Sequence, residues 1–171
     1  IAATTGPLIA FLDDDEEAAP SWICELVATQ RFHEADAVFG RVQARVPETV
    51  LAHRAYYTEF FSRSGPEESG PIDGYYGCGN SLVRRAAMPS PEAPFDAERN
   101  DIGGEDDLLF AAMKHREARF VWCREAMVWE DPALSRACLR YTLRRAFSYG
   151  QGPSSTCAAG QWREWPALLF W

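Results

Sequence analysis

The sequence contains one lysine and lacks paired cysteines, clustered histidines and long apolar runs. Its 17 basic residues stand against 25 acids, and the formal net charge of −8 argues against a nucleic-acid partner, which would require clustered cations. Five widely spaced cysteines without a Cys-x-x-Cys pair are typical of reduced thiols in the cytosol. The three histidines are too far apart in sequence to suggest a zinc ligand set.

No apolar run reaches the roughly 20 residues that a membrane-spanning helix requires, and no signal peptide is visible. The chain has 171 residues, of which 47% are hydrophobic, and this is enough for one core. We expect one domain over residues 1–150 and a tail over residues 151–171 that leads towards a membrane-associated segment. Because the sequence begins without methionine and ends on an apolar stretch, we expect it to be part of a longer protein.

Apolar runs and alternating patterns predict strands, and a 3.6-residue period predicts helices. The predicted strands cover residues 8–12, 37–46, 75–84 and 118–128. The predicted helices begin at Pro20, cover residues 50–61, follow Gly104 and cover residues 132–149. Between them, residues 65–74 are rich in Gly, Pro and Ser, which indicates a loop that could act as a lid. Strands that alternate with helices indicate an α/β layered fold.

The stretch IAFLDDDEEAAPSW (residues 9–22) leads from an apolar run directly into five consecutive acids. In an open α/β sheet, ligands bind at the carboxyl ends of strands, so Asp13, Asp14 and Asp15 belong at that edge. Mg²⁺ or Mn²⁺ prefers carboxylate oxygens and completes its shell with water and phosphate. The pattern therefore predicts a cation that brings an anionic diphosphate with it. The alternative is that these acids cap the next helix and complement its dipole, which explains one or two acids but not three aspartates.

A second acidic stretch, GGEDD (residues 103–107), stands at a predicted helix start. A carboxylate there can serve as a general base if it reaches a substrate hydroxyl. Dipole complementation with a capping box is the alternative interpretation. The presence of two acidic clusters, each at a junction that leads into a helix, favours a functional role.

Two further groups are candidates for binding. Asn80, flanked by small residues in GCGNSLVRR, can hydrogen-bond a sugar hydroxyl or occupy a left-handed turn. Arg140 and Arg144 lie four residues apart with Arg145 beside them, so they can clamp phosphate or form a solvated basic face.

The motifs, taken in order, resemble an inverting family 2 glycosyltransferase of the GT-A fold, in which a mixed sheet is flanked by helices. FLDDDEEAAPSW resembles the DxD segment, GCGNSLVRR the strand that lines the donor and acceptor pocket, and FDAERNDIGGEDDLLF the segment with the catalytic base. VWEDPALSRACLRYTLRRAFSYGQG resembles the end of the domain in bacterial exopolysaccharide transferases, including the succinoglycan-type branch.

On the donor side, the resemblance implies that Asp13 and Asp15 form the DxD pair. Asp15 would be the direct ligand of Mn²⁺ or Mg²⁺, and Asp13, which would also serve the metal, would lie nearer the ribose, with Asp14 on the nucleotide side. Glu130 stands where many relatives place a histidine near the metal.

On the acceptor side, the resemblance implies that Asp106 is the general base and that Glu105 contacts the acceptor or the donor. Asn80 and Arg144 would bind the donor. The implied partners are a nucleoside diphosphate sugar, most simply a UDP-sugar, and a saccharide or lipid-linked saccharide acceptor. The implied location is the cytoplasm, with peripheral association at the inner face of the membrane. Relatives begin with about ninety residues of nucleotide-binding βα units that this sequence lacks, so residues 1–150 would form the C-terminal portion of the catalytic domain, weakly active or inactive by itself.

Two alternatives remain. A haloacid-dehalogenase-like phosphatase also places Asp-x-Asp after an apolar strand, but it requires Thr or Val where Glu17 stands and a suitably placed lysine, for which only Lys114 is available. The other alternative is a non-catalytic cation-binding fragment.

Overall fold

The computed structural model describes residues 4–95 and 105–147, with the backbone alone at Glu105. The strands are β1 (Leu8–Phe11), β2 (Glu16–Ala18), β3 (Ala37–Ala44), β4 (Gly70–Pro71), β5 (Ser81–Arg84) and β6 (Phe120–Glu130). The helices are α1 (Trp22–His33), α2 (Arg54–Phe61) and α3 (Glu105–His115), and a 3₁₀ turn covers Arg85–Ala87. Residues 139–147 are also helical.

The strands form one mixed sheet in the order β1-β5-β3-β6-β2, and β4 pairs with β6. β3 and β6 run parallel at its centre, whereas the remaining pairings are antiparallel. The predicted α/β fold with a mixed sheet flanked by helices is therefore confirmed. The predicted domain limits at residues 150 and 151, like the tail itself, lie outside the described residues.

Side chains that alternate along the central strands build a core on each face of the sheet, as the two-residue period of a strand requires. Phe39 and Trp122 face α3, where they pack with Phe110 and Met113. On the other face, Leu26 of α1 packs with the neighbours of these strand residues: Val38, Leu82, Val121 and Ala126. These two packed layers hold the sheet, and the acidic segments lie at one of its edges.

Several predicted boundaries are wrong. Helix α1 begins at Trp22, after Ser21 as N-cap, and α2 begins at Arg54. Residues 75–80 are not a strand, and the last helix begins at residue 139 because residues 134–136 form a turn. The predicted lid loop, residues 65–74, pairs with β6 through β4. Its first residue, Gly65, packs closely against Trp122, since an added Cβ would lie 2.5 Å from the Trp122 ring.

Among the described residues, no helix combines the length and apolar character needed to cross a bilayer.

Candidate functional site

The acidic run turns back on itself at the carboxyl end of β1. The Glu16 amide donates to the Asp13 carbonyl at 3.1 Å, and the Glu16 carboxylate accepts from the Asp13 amide at 3.1 Å. Glu16 and Glu17 then form β2, where Glu16 pairs with Glu130 and Glu17 with Trp129. The helix-dipole interpretation is therefore wrong for these two glutamates. They lie in a strand, and Glu25 is the acid in the first turn of α1.

A glycine-flanked loop, Gly77-Cys78-Gly79, contacts both acidic segments. A Cβ added at Gly79 would lie 2.4 Å from an Asp13 carboxylate oxygen, and one added at Gly77 would lie 3.1 Å from an Asp106 oxygen. The Cys78 amide donates to that same Asp106 oxygen at 3.1 Å. The loop thus brings together carboxylates that lie at positions 13 and 106 of the chain, and small residues are required because larger ones would displace these carboxylates.

Asp106 lies in the first turn of α3 with both carboxylate oxygens in use. Oδ2 accepts from Cys78, and Oδ1 accepts from the Asp107 amide at 2.9 Å. A carboxylate accepts about four hydrogen bonds, so the contacts from the described residues leave a further lone pair on each oxygen. Burial and the Asp106 charge raise the pKa of the Cys78 thiol to about 12, so this cysteine stays protonated at neutral pH. Glu105 begins the same helix, and its side chain lies outside the described part of the structure.

The sequence analysis missed Arg63, whose guanidinium lies beneath the Gly77–Gly79 loop. Its two terminal nitrogens donate to the carbonyl of Gly77 at 2.8 Å and to that of Gly79. Burial lowers the pKa of Arg63, while the charges of Glu16 and Asp13 act in the opposite direction. A lone arginine between an aromatic helix and a Gly-rich loop gives no sequence signal, because its partners are backbone carbonyls.

Negative charge accumulates at this edge despite the arginines. Partial burial raises the pKa of Asp13, and the charges of Asp15 and Asp106 add to that shift. The pKa of Glu130 rises to about 7 through burial and then through the charges of Asp15 and Glu16. Arg136, a second residue that the sequence analysis missed, donates to Asp15 at 3.0 Å. Asp13, Asp15 and Glu130 therefore share one electrostatic environment.

Within residues 4–95 and 106–147, no three acidic, histidine or cysteine side chains converge closely enough to hold a metal ion. The carboxylate oxygens present nevertheless suit a hard cation, since Mg²⁺ is commonly held by one or two carboxylates with water and substrate phosphate. Asp13 and Asp15 supply such oxygens, and their mutual repulsion is what a cation would relieve. The metal role of Asp13, Asp15 and Glu130 stays a prediction.

Asn80 is fully buried and joins three elements. Its side-chain oxygen accepts from the Trp22 indole at 2.7 Å, and its amide nitrogen donates to the carbonyls of Arg41 at 2.7 Å and Ala126 at 2.9 Å. Its φ of 49° is left-handed, as the turn alternative expected. These contacts fill the irregularity between β3 and β6 at Gly40. They favour a structural role for Asn80, and its contact with a sugar stays untested.

The other two predicted donor contacts lie at the surface. Asp14 is exposed at the turn between β1 and β2, and Arg144 is exposed on the helical stretch 139–147. Their roles toward a donor stay predictions.

The mixed sheet, the acidic turn after β1 and the acids at the start of α3 define a GT-A-like α/β domain. A solved structure of S. aureus TarS, residues 1–349, in complex with UDP-GlcNAc has a similar fold, with a TM-score of 0.51 and 14% identity over 76% of this chain and 36% of that one. The match to the family described as glycosyl transferase family 2 covers residues 1–89. The chain belongs to that family.

A curated relative is the succinoglycan biosynthesis protein ExoM of Rhizobium meliloti (strain 1021). The two are 34% identical over 149 residues, which cover 86% of this chain and 47% of ExoM. The chain thus spans about half the length of this relative. The family match includes Asp13, Asp15 and Asn80, whereas Asp106 lies beyond it.

Proposed function

We propose that this chain carries the catalytic carboxylates of a metal-dependent, inverting glycosyltransferase of bacterial exopolysaccharide synthesis. Its donor would be a nucleoside diphosphate sugar, most simply a UDP-sugar, and its acceptor the hydroxyl of a saccharide or lipid-linked saccharide. The observation that carries the proposal is the Gly77–Gly79 loop, against which Asp13 and Asp106 both lie. The carboxylates that we propose for the donor side and for the base therefore lie against the same loop. The family and the similarity to ExoM support the reaction class.

Asp106 is the proposed general base. The acceptor oxygen attacks the anomeric carbon and forms the new glycosidic bond, while the bond from that carbon to the diphosphate breaks. The hydroxyl proton passes to the Asp106 carboxylate, of whose lone pairs two are used by backbone amides of the described residues. Attack on the face opposite the leaving group inverts the configuration. Glu105, next in sequence, is the proposed contact to acceptor or donor.

Asp13 and Asp15 are the proposed holders of Mn²⁺ or Mg²⁺, with Asp14 towards the nucleotide and Glu130 at the periphery. When bound, such a cation would polarise the diphosphate as a Lewis acid. Around it, the chain holds the carboxylates in place: the Asp13 amide bonds to Glu16, and Asp15 pairs with Arg136. Arg144 is the proposed phosphate contact from the last helix.

Peripheral association with the cytoplasmic face of a membrane is also proposed. Leu139, Leu143 and Phe147 recur every four residues, and 45%, 65% and 70% of their respective surfaces are exposed. The exposed Arg140 and Arg144 lie on the same helical stretch. An apolar stripe beside arginines is typical of helices that lie in the headgroup region of an anionic bilayer. No described contact supports the phosphatase alternative, and Lys114 is exposed at the end of α3.

A thermal melt with Mn²⁺, UDP and both together tests the metal–diphosphate site. At about ten times the dissociation constant, binding adds about 1.4 kcal/mol, or about 3–6 °C for a domain of this size. The shift should require both ligands and vanish in Asp15→Asn. Glu117→Gln is the control, since this exposed acid follows the far end of α3, about 16 Å along the helix from its first turn. A shift of equal size in Asp15→Asn, or none in the full-length protein that carries this sequence, would contradict the site.

A further inference from the structure

The guanidinium of Arg63 holds two carbonyls of one short loop. Its terminal nitrogens donate to the Gly77 carbonyl at 2.8 Å and to the Gly79 carbonyl, on either side of Cys78. Arginine presents donors in a rigid planar fork, so it can fix two acceptors at once, whereas the ammonium of lysine acts as a point charge. The loop conformation is therefore tied to the position of one side chain.

Arg63 is itself fixed to the central sheet. Its amide donates to the Val42 carbonyl at 2.9 Å, and its carbonyl accepts from the Val42 amide at 3.1 Å. The guanidinium carbon lies 5.9 Å from the centre of the Tyr76 ring. Its buried Nε finds no hydrogen-bond partner within residues 4–95 and 106–147, which is costly for a charged group. Arg63 as a whole is half-buried, and both of its terminal nitrogens are engaged by the loop carbonyls.

We infer that Arg63 is a positioning residue that sets the separation between the donor-side carboxylate Asp13 and the base Asp106. Both carboxylates contact the loop that Arg63 holds, Asp13 at Gly79 and Asp106 at Gly77 and at the Cys78 amide. If that loop shifted, the Cys78 amide that bonds to Asp106 and the Gly79 backbone beside Asp13 would move together. This inference rests on the proposed function, because the spacing of the two groups matters only if they act on one substrate pair.

Arg63 also places a positive charge among the acids. Its charge lowers the pKa of Asp13 and Glu16 against the larger effect of burial. It thereby favours the ionised carboxylates at the edge of the sheet. Two substitutions separate the fork from the charge. Arg63→Lys keeps the positive charge and loses the planar fork, whereas Arg63→Met loses both.

The deciding experiment compares Arg63→Lys with Arg124→Lys in the full chain that carries this sequence. Arg124 is a matched control, because it is exposed and donates to one loop carbonyl, that of Glu67, at 2.8 Å. Residue-resolved amide exchange should show the Cys78 amide exchanging about tenfold faster in Arg63→Lys, as expected for loss of one hydrogen bond, and unchanged in the control. Equal protection in both variants would overturn the inference.

Transfer kinetics give the second measurement. In Arg63→Lys, kcat should fall about 100-fold, as misplacement of a reacting group by about 1 Å predicts, while the KM for the donor changes by less than about threefold. An active parent whose kcat is unaffected by Arg63→Lys would overturn the inference even if exchange increases. If the parent shows no transfer, the proposed function fails, and amide exchange alone then decides whether Arg63 positions the loop. Arg63→Met loses the same fork and should therefore also increase exchange of the Cys78 amide.

Discussion

Replacement of Gly79 by alanine should damage the site while it leaves the fold nearly intact. The added Cβ would lie 2.4 Å from one oxygen of Asp13 and 2.8 Å from its carboxyl carbon, where ordinary contacts begin near 3.4 Å. The carboxylate must therefore move by about 1 Å. Because it is the end of a partly exposed side chain, it can rotate away, and unfolding free energy should fall by less than about 1 kcal/mol. A displacement of this size at a reacting centre costs about 100-fold in rate.

Two other glycines of the same region provide graded controls. At Gly77, an added Cβ would lie 3.1 Å from an oxygen of Asp106, so a shift of a few tenths of an ångström suffices. At Gly74, no heavy atom of the described part of the chain lies within 4 Å of the added Cβ. The series Gly74→Ala, Gly77→Ala and Gly79→Ala should therefore rank from harmless to severe in sugar transfer, with similar denaturation midpoints.

The assay is donor turnover together with Mn²⁺-dependent UDP binding, measured beside chemical denaturation. Gly79→Ala should weaken UDP binding in the presence of Mn²⁺, because the displaced Asp13 carboxylate is the proposed donor-side group. Gly77→Ala should act on kcat, because Asp106 is the proposed base. If Gly79→Ala kept the transfer rate and the UDP binding of the parent, the placement of Asp13 in the site would be refuted. If the loss of transfer followed the loss of unfolding free energy in all three variants, the reasoning from local geometry would be refuted.

The remaining predictions concern four side chains. Asp106→Asn should abolish transfer in a full-length protein and leave UDP binding unchanged by calorimetry; retained turnover would remove Asp106 as the base. Asn80→Ala should cost about 2–4 kcal/mol by urea denaturation, because it leaves the Trp22 indole and two carbonyls without their buried partner. The pKa of Glu130, raised from 4.5 to about 7, favours its protonated form in the folded state. Stability should therefore fall as pH rises from about 4.5 to about 7, and Glu130→Gln should flatten that dependence; an unchanged profile would contradict the shift. Leu143→Glu should reduce sedimentation with anionic vesicles, and equal binding by neutral vesicles would argue against the basic face.

The periodicity of the sequence was sufficient for most of the fold. β1, β3 and β6 were predicted from apolar or alternating runs, and α3 from its period after Gly104. β2 was missed because Glu16–Ala18 belongs to an acidic run and owes its extended form to pairing with the end of β6. Residues 75–80 were misassigned as a strand because their aromatic and small residues resemble one. Their conformation instead depends on the left-handed Asn80 and on contacts from Arg63, which are distant in sequence.

The candidate site was predictable where its chemistry is local and unpredictable where it is not. Consecutive aspartates after a strand and three acids at a helix start identify candidate carboxylates from their own segments. Arg63 and Arg136 could not be assigned in this way, because each is a single arginine whose partners lie elsewhere in the chain. A side chain that binds backbone carbonyls also places no demand on the identity of the residues it contacts.

The charge balance of the acidic turn connects the structure with the proposed cation. Arginines from three distant parts of the chain approach it: Arg45 pairs with Glu17 at 2.6 Å, Arg136 pairs with Asp15 at 3.0 Å, and Arg63 lies close enough to act on the charge of Asp13. Surface pairs such as the first two contribute little stability, typically 0–1 kcal/mol each. The pKa of Asp13 is still raised after these contributions. Burial and the neighbouring acids thus oppose ionisation of the carboxylate beside Gly79, and an oxygen-seeking cation bound there would lower the pKa of Asp13.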